Sequence, residues 1–189
     1  MATEVMKRLI NVDEYYKMAE VGILKPGDRV ELINGEIYQM SRGAASPIGS
    51  KHGSVVKSLA RILNEIFKGD AVIGIQDPVR LDENNEPEPD ISILKYRADD
   101  YSQAHPGSQD VLAIIEVADS SLHHDKQVKM PLYANYGIPE YWIIDIATRQ
   151  ITVHLDPVGN SYSSQQVYGI GDEIVLLGKT IVVSDLLKF

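Results

Sequence analysis

Three charged residues in the middle of the chain are of the types that hydrolyse phosphodiesters with the help of a divalent cation. Asp90 follows Pro89 and opens the apolar run Asp90–Leu94; Glu116 closes a second run, Val111–Ile115; Lys129 lies on the stretch that comes next. Carboxylates from adjacent strands offer hard oxygen ligands, the preference of Mg²⁺. A cation held there can lower the pKa of a bound water and neutralise a phosphoryl oxygen. A lysine beside it supplies a point charge that orients the nucleophile or stabilises the developing anion. Glu116 is the most informative of the three, because a charge against an apolar core is costly unless something pairs with it.

These residues need elements to hold them, and the segment 110–145 predicts a strand, a helix and a strand. Val111–Ile115 has the β-branching and length of a buried strand. Ser120 or Ser121 can cap a following helix, and Gly137 ahead of Ile138-Pro139 stops it. Tyr141–Ile146 is the second apolar strand. A strand–helix–strand of this length implies a parallel pair with a crossover. Glu116 then sits at the carboxyl end of a sheet strand, where open α/β sheets build their sites.

On that helix Lys129 shares a face with Asp125, Leu132, Tyr133 and Tyr136. Its apolar and aromatic neighbours turn it inward, so its ammonium is expected to reach Glu116 and Asp90 and its loss to leave folding little affected. The plain alternative is an Asp125–Lys129 surface pair worth about a few tenths of a kcal/mol. Lys126 competes for the role but points about 60° off that face. Pro131 should kink the helix or free a carbonyl.

Elsewhere, Val12–Val21 predicts a short surface helix capped by Asn11 or Asp13. Asn34-Gly35 between alternating runs predicts a β-hairpin, since both residues tolerate positive φ. Ser41–Ser50 is small and polar, and is expected to be more mobile than its surroundings. A helix over Ser50–Lys68 carries Val55, Val56, Leu59, Ile62, Leu63 and Ile66 at helical spacing. Its opposite face presents Lys51, Lys57, Arg61 and Lys68, the one locally basic element. Ala71–Ile75 and Pro78–Leu81 read as strands, 82–89 as a loop, and four short antiparallel strands fill 150–183. Trp142 reads as core.

Several further side chains have a functional and a plain reading side by side. His52, at the helix start, suits a phosphate, a metal or a backbone carbonyl. Glu31 and Glu36 can complete a cation's shell or flank a hairpin turn. Gln76 can contact the site or cap a loop. His123-His124-Asp125 resembles a metal tract, but adjacent histidines diverge on a helix, so a solvated helix start is the expectation.

The chain has 189 residues, no cysteine and a net charge of −9. That length suits one α/β domain over 1–189 with a full core. Without cysteine there is no disulfide framework, thiolate metal site or thiol nucleophile. No apolar run approaches the roughly 18 residues that span a bilayer, and the N-terminus lacks the apolar centre of a signal peptide. A soluble cytoplasmic protein with no membrane partner is expected. The acidic balance argues against a general polyanion binder, although carboxylates that hold cations count as negative only when unloaded.

Pro89-Asp90 with Glu116-Val117-Ala118 resembles the PD-(D/E)xK nuclease superfamily, with Ala118 where the motif has its lysine. The chain is more closely similar to the Uma-two family of restriction-endonuclease-like proteins. The similarity is carried by Glu31-Leu-Ile-Asn-Gly-Glu36, His52 opening a helix, Gln76-Asp-Pro78 and Glu88-Pro-Asp90. It continues through Ile115-Glu-Val-Ala-Asp-Ser-Ser121, Asp125-Lys-Gln-Val-Lys129 and Tyr133 to Asp145. The resemblance implies a restriction-endonuclease-like α/β (α+β) fold: a mixed β-sheet flanked by helices, with extra antiparallel strands at the C-terminus. It implies Asp90 and Glu116 as ligands of Mg²⁺ or Mn²⁺, with Val117 completing the metal set, and a lysine that has migrated to Lys129. Glu31, His52 and Gln76 join the catalytic set.

The first reading is a metal-dependent phosphodiesterase acting on DNA, with a homodimer as the expected assembly. Its rivals are a nuclease-fold protein that binds or assembles without turnover, and a metal-dependent hydrolase of a small phosphorylated molecule.

Overall fold

The architecture follows from runs of β-branched residues that bury both faces of a sheet. The computed structural model describes residues 6–39 and 49–189. A six-stranded sheet forms from β3 (Ala71–Ile75), β4 (Ile91–Lys95), β5 (Val111–Ala118), β6 (Glu140–Asp145), β7 (Gln150–Val158) and β8 (Ser161–Tyr168), in that spatial order. β5 and β6 pair in parallel and the other neighbours antiparallel, so the sheet is mixed. A parallel pair needs a crossover, and residues 122–135 supply it.

Successive residues of β6 show how the two faces are filled. Tyr141 and Ile143 enter one apolar cluster with Leu132 and Tyr133, whereas Trp142 and Ile144 enter the other with α2 (Ser50–Ile66). Alternation by two sends neighbours to opposite faces, and burial on both makes the strand continuously apolar. α2 packs through Val55, Val56, Leu59 and Leu63, leaving Lys51, Lys57 and Arg61 exposed, with Lys68 exposed in the turn after it. Trp142 is fully buried, with its indole N–H donating to Glu140 Oε1 at 2.7 Å.

The Asn34-Gly35 turn joins β1 (Val30–Ile33) to β2 (Glu36–Gln39), with φ of 52° and 71° at the two turn residues. The 82–89 loop is laid against this hairpin: Glu86 N–H donates to Leu32 O at 2.8 Å, and Asn34 N–H to Asn85 Oδ1 at 2.7 Å. α1 (Val12–Glu20) starts at Asn11 in a capping box with Glu14.

The four C-terminal strands form and pair antiparallel as expected: β7 and β8 extend the central sheet, and β9 (Glu173–Leu176) with β10 (Lys179–Val182) forms a separate hairpin, followed by α5 (Val183–Leu186). Two expectations change. Residues 78–81 are not a strand; Arg80 makes only an isolated bridge to Gly107. The chain turns at Gln76, whose φ is +53°. The crossover is not one α-helix. It runs as α3 (Leu122–His124), a π-helical turn at Asp125–Lys129, and α4 (Met130–Asn135). Pro131 has no N–H and its ring crowds the carbonyl four residues back. The wider π turn, closed by Met130 N–H to Asp125 O, removes that conflict. Of the Ser41–Ser50 loop, residues 41–48 lie outside the described residues.

Candidate active site

Extending the β4–β5 register by one residue, from Ile91 opposite Ile115, places Asp90 opposite Glu116. Opposed residues on antiparallel strands project to the same face. The two are tied through the backbone: Asp90 N–H donates to Glu116 Oε2 at 3.3 Å, and Val117 N–H donates to Asp90 Oδ2 at 2.9 Å. Asp90 is 8 % exposed and Glu116 3 %.

Lys129, at the end of the π turn, is 2 % exposed and reaches back over the strand end. Its Nζ lies 2.9 Å from Glu116 Oε1 and 3.0 Å from Glu31 Oε2. The ammonium is thus shared between Glu116 and Glu31 rather than between Glu116 and Asp90. Tyr133 OH donates to Glu116 Oε1 at 3.1 Å from one turn further along. Lys126 is exposed. A surface Asp125–Lys129 pair is excluded, because both residues are buried.

The outer members gather on the same centre. His52 Nε2 is hydrogen-bonded to Asp90 Oδ2 at 3.1 Å, and Gln76 Nε2 donates to Asp90 Oδ1 at 3.0 Å. Gln76 holds Asp90 from a left-handed backbone conformation of the kind found where a site over-determines the chain. Glu31, 2 % exposed, takes His124 Nε2 at 3.0 Å on its other oxygen. Glu36 pairs with Lys7 at the surface and stays apart from the group.

The expectation of a solvated His123-His124-Asp125 start holds only for His123, which is exposed. His124 bonds Glu31, and buried Asp125 accepts from Ser121 Oγ at 2.7 Å. Adjacency was the misleading signal: the two histidines do diverge, and one diverges into the site.

A family model described as "Uma2: Putative restriction endonuclease" matches residues 12–180. The chain belongs to the Uma2 family. The crystal structure of "a putative nuclease belonging to DUF820 from Anabaena variabilis ATCC 29413" is similar at a TM-score of 0.72. It is 18 % identical, over 95 % of this chain and 98 % of that one, a likeness of fold. A search of the curated proteins returned no match.

Within this Uma2 protein the site's electrostatics are dominated by four buried carboxylates, Glu31, Asp90, Glu116 and Asp125, around one buried lysine. Burial pushes the Glu116 carboxyl up to about 8; Lys129 opposes the rise, and Asp125, Asp90 and Glu31 add to it. Burial also works against Glu31, but Lys129 and His124 outweigh it and hold that carboxyl below its ordinary value. Burial disfavours the Lys129 ammonium, yet Glu116, Glu31 and Asp125 keep it charged, well above the usual lysine range. Asp90 is resisted by burial and still held low by His52, Val117 N–H and Gln76. The hydrogen bond to Asp90 raises His52 in turn.

A carboxylate offers about four lone-pair sites. Asp90 uses three, on His52, Gln76 and Val117, and Glu116 uses three, on Lys129, Tyr133 and Asp90 N–H. About one position remains on each. Among the described residues, no group of three or more His, Cys, Asp and Glu is arranged to hold a metal ion. Mg²⁺ asks less than that of a protein: one or two carboxylates suffice when waters and substrate phosphates fill the rest of its shell. The free carboxylate positions are hard oxygen ligands of the type that ion prefers.

One sequence expectation needs correction. Loss of Lys129 will not leave folding little affected, because it is buried between two carboxylates. Removing it leaves buried charge without a partner, the costly way to break such a pair.

Among the described residues, no helix is long and apolar enough to cross a membrane.

Proposed function

We propose that the chain is a divalent-metal-dependent phosphodiesterase acting on DNA. The observation that carries this reading is the meeting of Asp90, Glu116 and Lys129, from the end of a loop, a strand and a π turn, at one strand end. Asp90 and Glu116, with Val117 beside them, would hold Mg²⁺ or Mn²⁺. A bound cation of this kind supplies an acidified water and neutralises phosphoryl charge.

The chain's own residues do the rest. Lys129 balances the carboxylates and presents positive charge to the developing phosphorane oxygens. Glu31 fixes Lys129, and His52 with Gln76 fixes the Asp90 carboxylate. The exposed basic face of α2, with Lys51, Lys57 and Arg61, and Lys68 just past its end, gives a phosphate backbone a track in an otherwise acidic chain. A homodimer would present two such centres to the two strands of a duplex.

A second reading, binding or assembly without turnover, has specific support. Nearly every carboxylate position is already engaged, no three-ligand group is present among the described residues, and Ala118 stands where the superfamily has its lysine. Taken without the family, these observations favour it. A third reading, hydrolysis of a small phosphorylated molecule, needs no extended basic surface.

One assay set separates them. Supercoiled plasmid and a chromogenic phosphodiester nucleotide are incubated with chelator, Mg²⁺ or Mn²⁺, using the parent and Asp90→Asn. Cation-dependent plasmid nicking lost in Asp90→Asn supports the first reading. Turnover of the nucleotide alone supports the third, and cation binding or activity absent from every arm leaves the second.

A further inference from the structure

Away from the carboxylate centre, α1, the 24–28 turn and the 82–89 loop enclose a cavity of about 320 Å³. Its lining includes Tyr15, Tyr16, Leu24, Pro26, Glu86 and Glu88. We propose that this cavity binds an organic cation, a guanidinium or primary ammonium on a slim alkyl stem.

Glu86 points to that chemistry. It is 2 % exposed, and its Oε1 accepts from Tyr16 OH at 2.7 Å. Its Oε2 is buried with no hydrogen-bond partner among the described residues. A buried carboxylate oxygen left unmatched is costly, and native structures seldom keep one without an ion, a water or a ligand to meet it. The wall carries three carboxylates, Asp28, Glu86 and Glu88, against one lysine, Lys25, and among the described residues none of the four makes an ion pair, so the lining keeps an excess of negative charge.

The aromatic side fits the same guest. Tyr15 and Tyr16 stand edge-to-face with ring centroids 5.9 Å apart, and Tyr15 is anchored by its hydroxyl to Val30 O at 2.9 Å. Rings held beside a carboxylate attract cations through their faces and lose little freedom on binding. The volume is at the small end of ligand pockets. That is roomy for a bare metal ion and suited to the end of an arginine or lysine side chain, or to a free diamine. Glu88 N–H also donates to Glu31 Oε2 at 3.3 Å, so the cavity wall is joined to the carboxylate centre.

The test is titration of ¹⁵N-labelled full-length chain with agmatine, cadaverine and the blocked tripeptide acetyl-Gly-Arg-Gly-amide, followed by amide chemical shifts. Saturable shifts at Tyr16, Glu86 and Glu88 are expected, weakened at least about tenfold in Glu86→Gln and kept in Asp90→Asn. Tyr16→Leu, which keeps Glu86, should weaken binding about threefold or more through loss of the ring. Binding of the free amines alone assigns a small amine; comparable or tighter binding of the tripeptide assigns a partner's side chain. Shifts that never saturate, that spread evenly over the acidic surface, or that survive unchanged in both Glu86→Gln and Tyr16→Leu overturn the proposal.

Discussion

Lys129 Nζ lies 2.9 Å from Glu116 Oε1, and both side chains are sealed from solvent. The pair joins the strand end to the π turn, and Glu31 lies on the ammonium's other side at 3.0 Å. One cation between two buried carboxylates cannot be treated as a surface lysine, and its consequences can be measured.

Lys129→Met should destabilise the fold by about 3–5 kcal/mol, the size seen when one partner of a buried ion pair is removed. Lys126→Met, on an exposed residue, should stay within about 0.5 kcal/mol. Urea denaturation at neutral pH, without added metal, gives both values. Equal midpoints for the two variants would contradict the buried pair. Any phosphodiesterase rate is then compared at a temperature where Lys129→Met remains folded, and should fall about 10²-fold or more.

Glu31→Gln and Glu116→Gln should both destabilise the fold. Lys129 and His124 hold Glu31 below its ordinary value, so its charge gives stabilisation that is lost on neutralisation; we expect a cost of about 3 kcal/mol. Burial raises Glu116, but its two oxygens accept from Lys129, Tyr133 and Asp90 N–H. The amide of Gln turns its NH₂ toward one of these donors, so we expect a cost of about 1–3 kcal/mol. Urea denaturation at pH 7 gives both values, and a variant as stable as the parent would contradict the role of that carboxylate.

His154 should make the fold acid-sensitive. It is buried beside Tyr141 and Tyr162, its Nε2 has no hydrogen-bond partner among the described residues, and burial with the nearby Lys126 charge holds it below its ordinary 6.5. The unfolded chain therefore binds the proton first as pH falls through 6.5, and stability drops until the folded value is passed. The slope contributed reaches at most about 1.4 kcal/mol per pH unit. His154→Phe keeps an aromatic ring and removes the titration. Denaturation curves at pH 7.5 and 5.5 should separate more for the parent than for the variant.

Lys57 and Arg61 lie exposed on α2, one turn apart. If that face tracks a phosphate backbone, Lys57→Ala/Arg61→Ala should leave the melting temperature unchanged. The slope of log K against log salt for duplex DNA should become shallower by about 1.8, the loss of two phosphate contacts. An unchanged slope removes α2 from the DNA surface.

Local pattern alone was enough for the parts of the fold in which neighbours in sequence decide conformation. Asn34-Gly35 predicts its hairpin because both turn residues accept positive φ, and the structure has them at 52° and 71°. The apolar runs at 111–115 and 141–146 predict buried strands because only strands covered on both faces are apolar throughout, and the crossover length between them predicts that they pair in parallel. Asp90 and Glu116 stand out for the same kind of reason: each is a charge set where an apolar run begins or ends.

Tertiary structure decided what depends on distant contacts. His124 reaches Glu31 across 93 residues of sequence, and no periodicity at 122–135 could show that one histidine of an adjacent pair enters the site while the other stays in solvent. The π turn was hidden as well. Pro131 announces a disturbance, but whether a helix kinks, stops or widens depends on what packs around it, and here the packing buries Asp125 and Lys129 together. The opposite directions in which Glu31 and Glu116 are shifted follow from that arrangement, because two carboxylates with the same intrinsic acidity differ only through their burial and the neighbours that the fold brings to them.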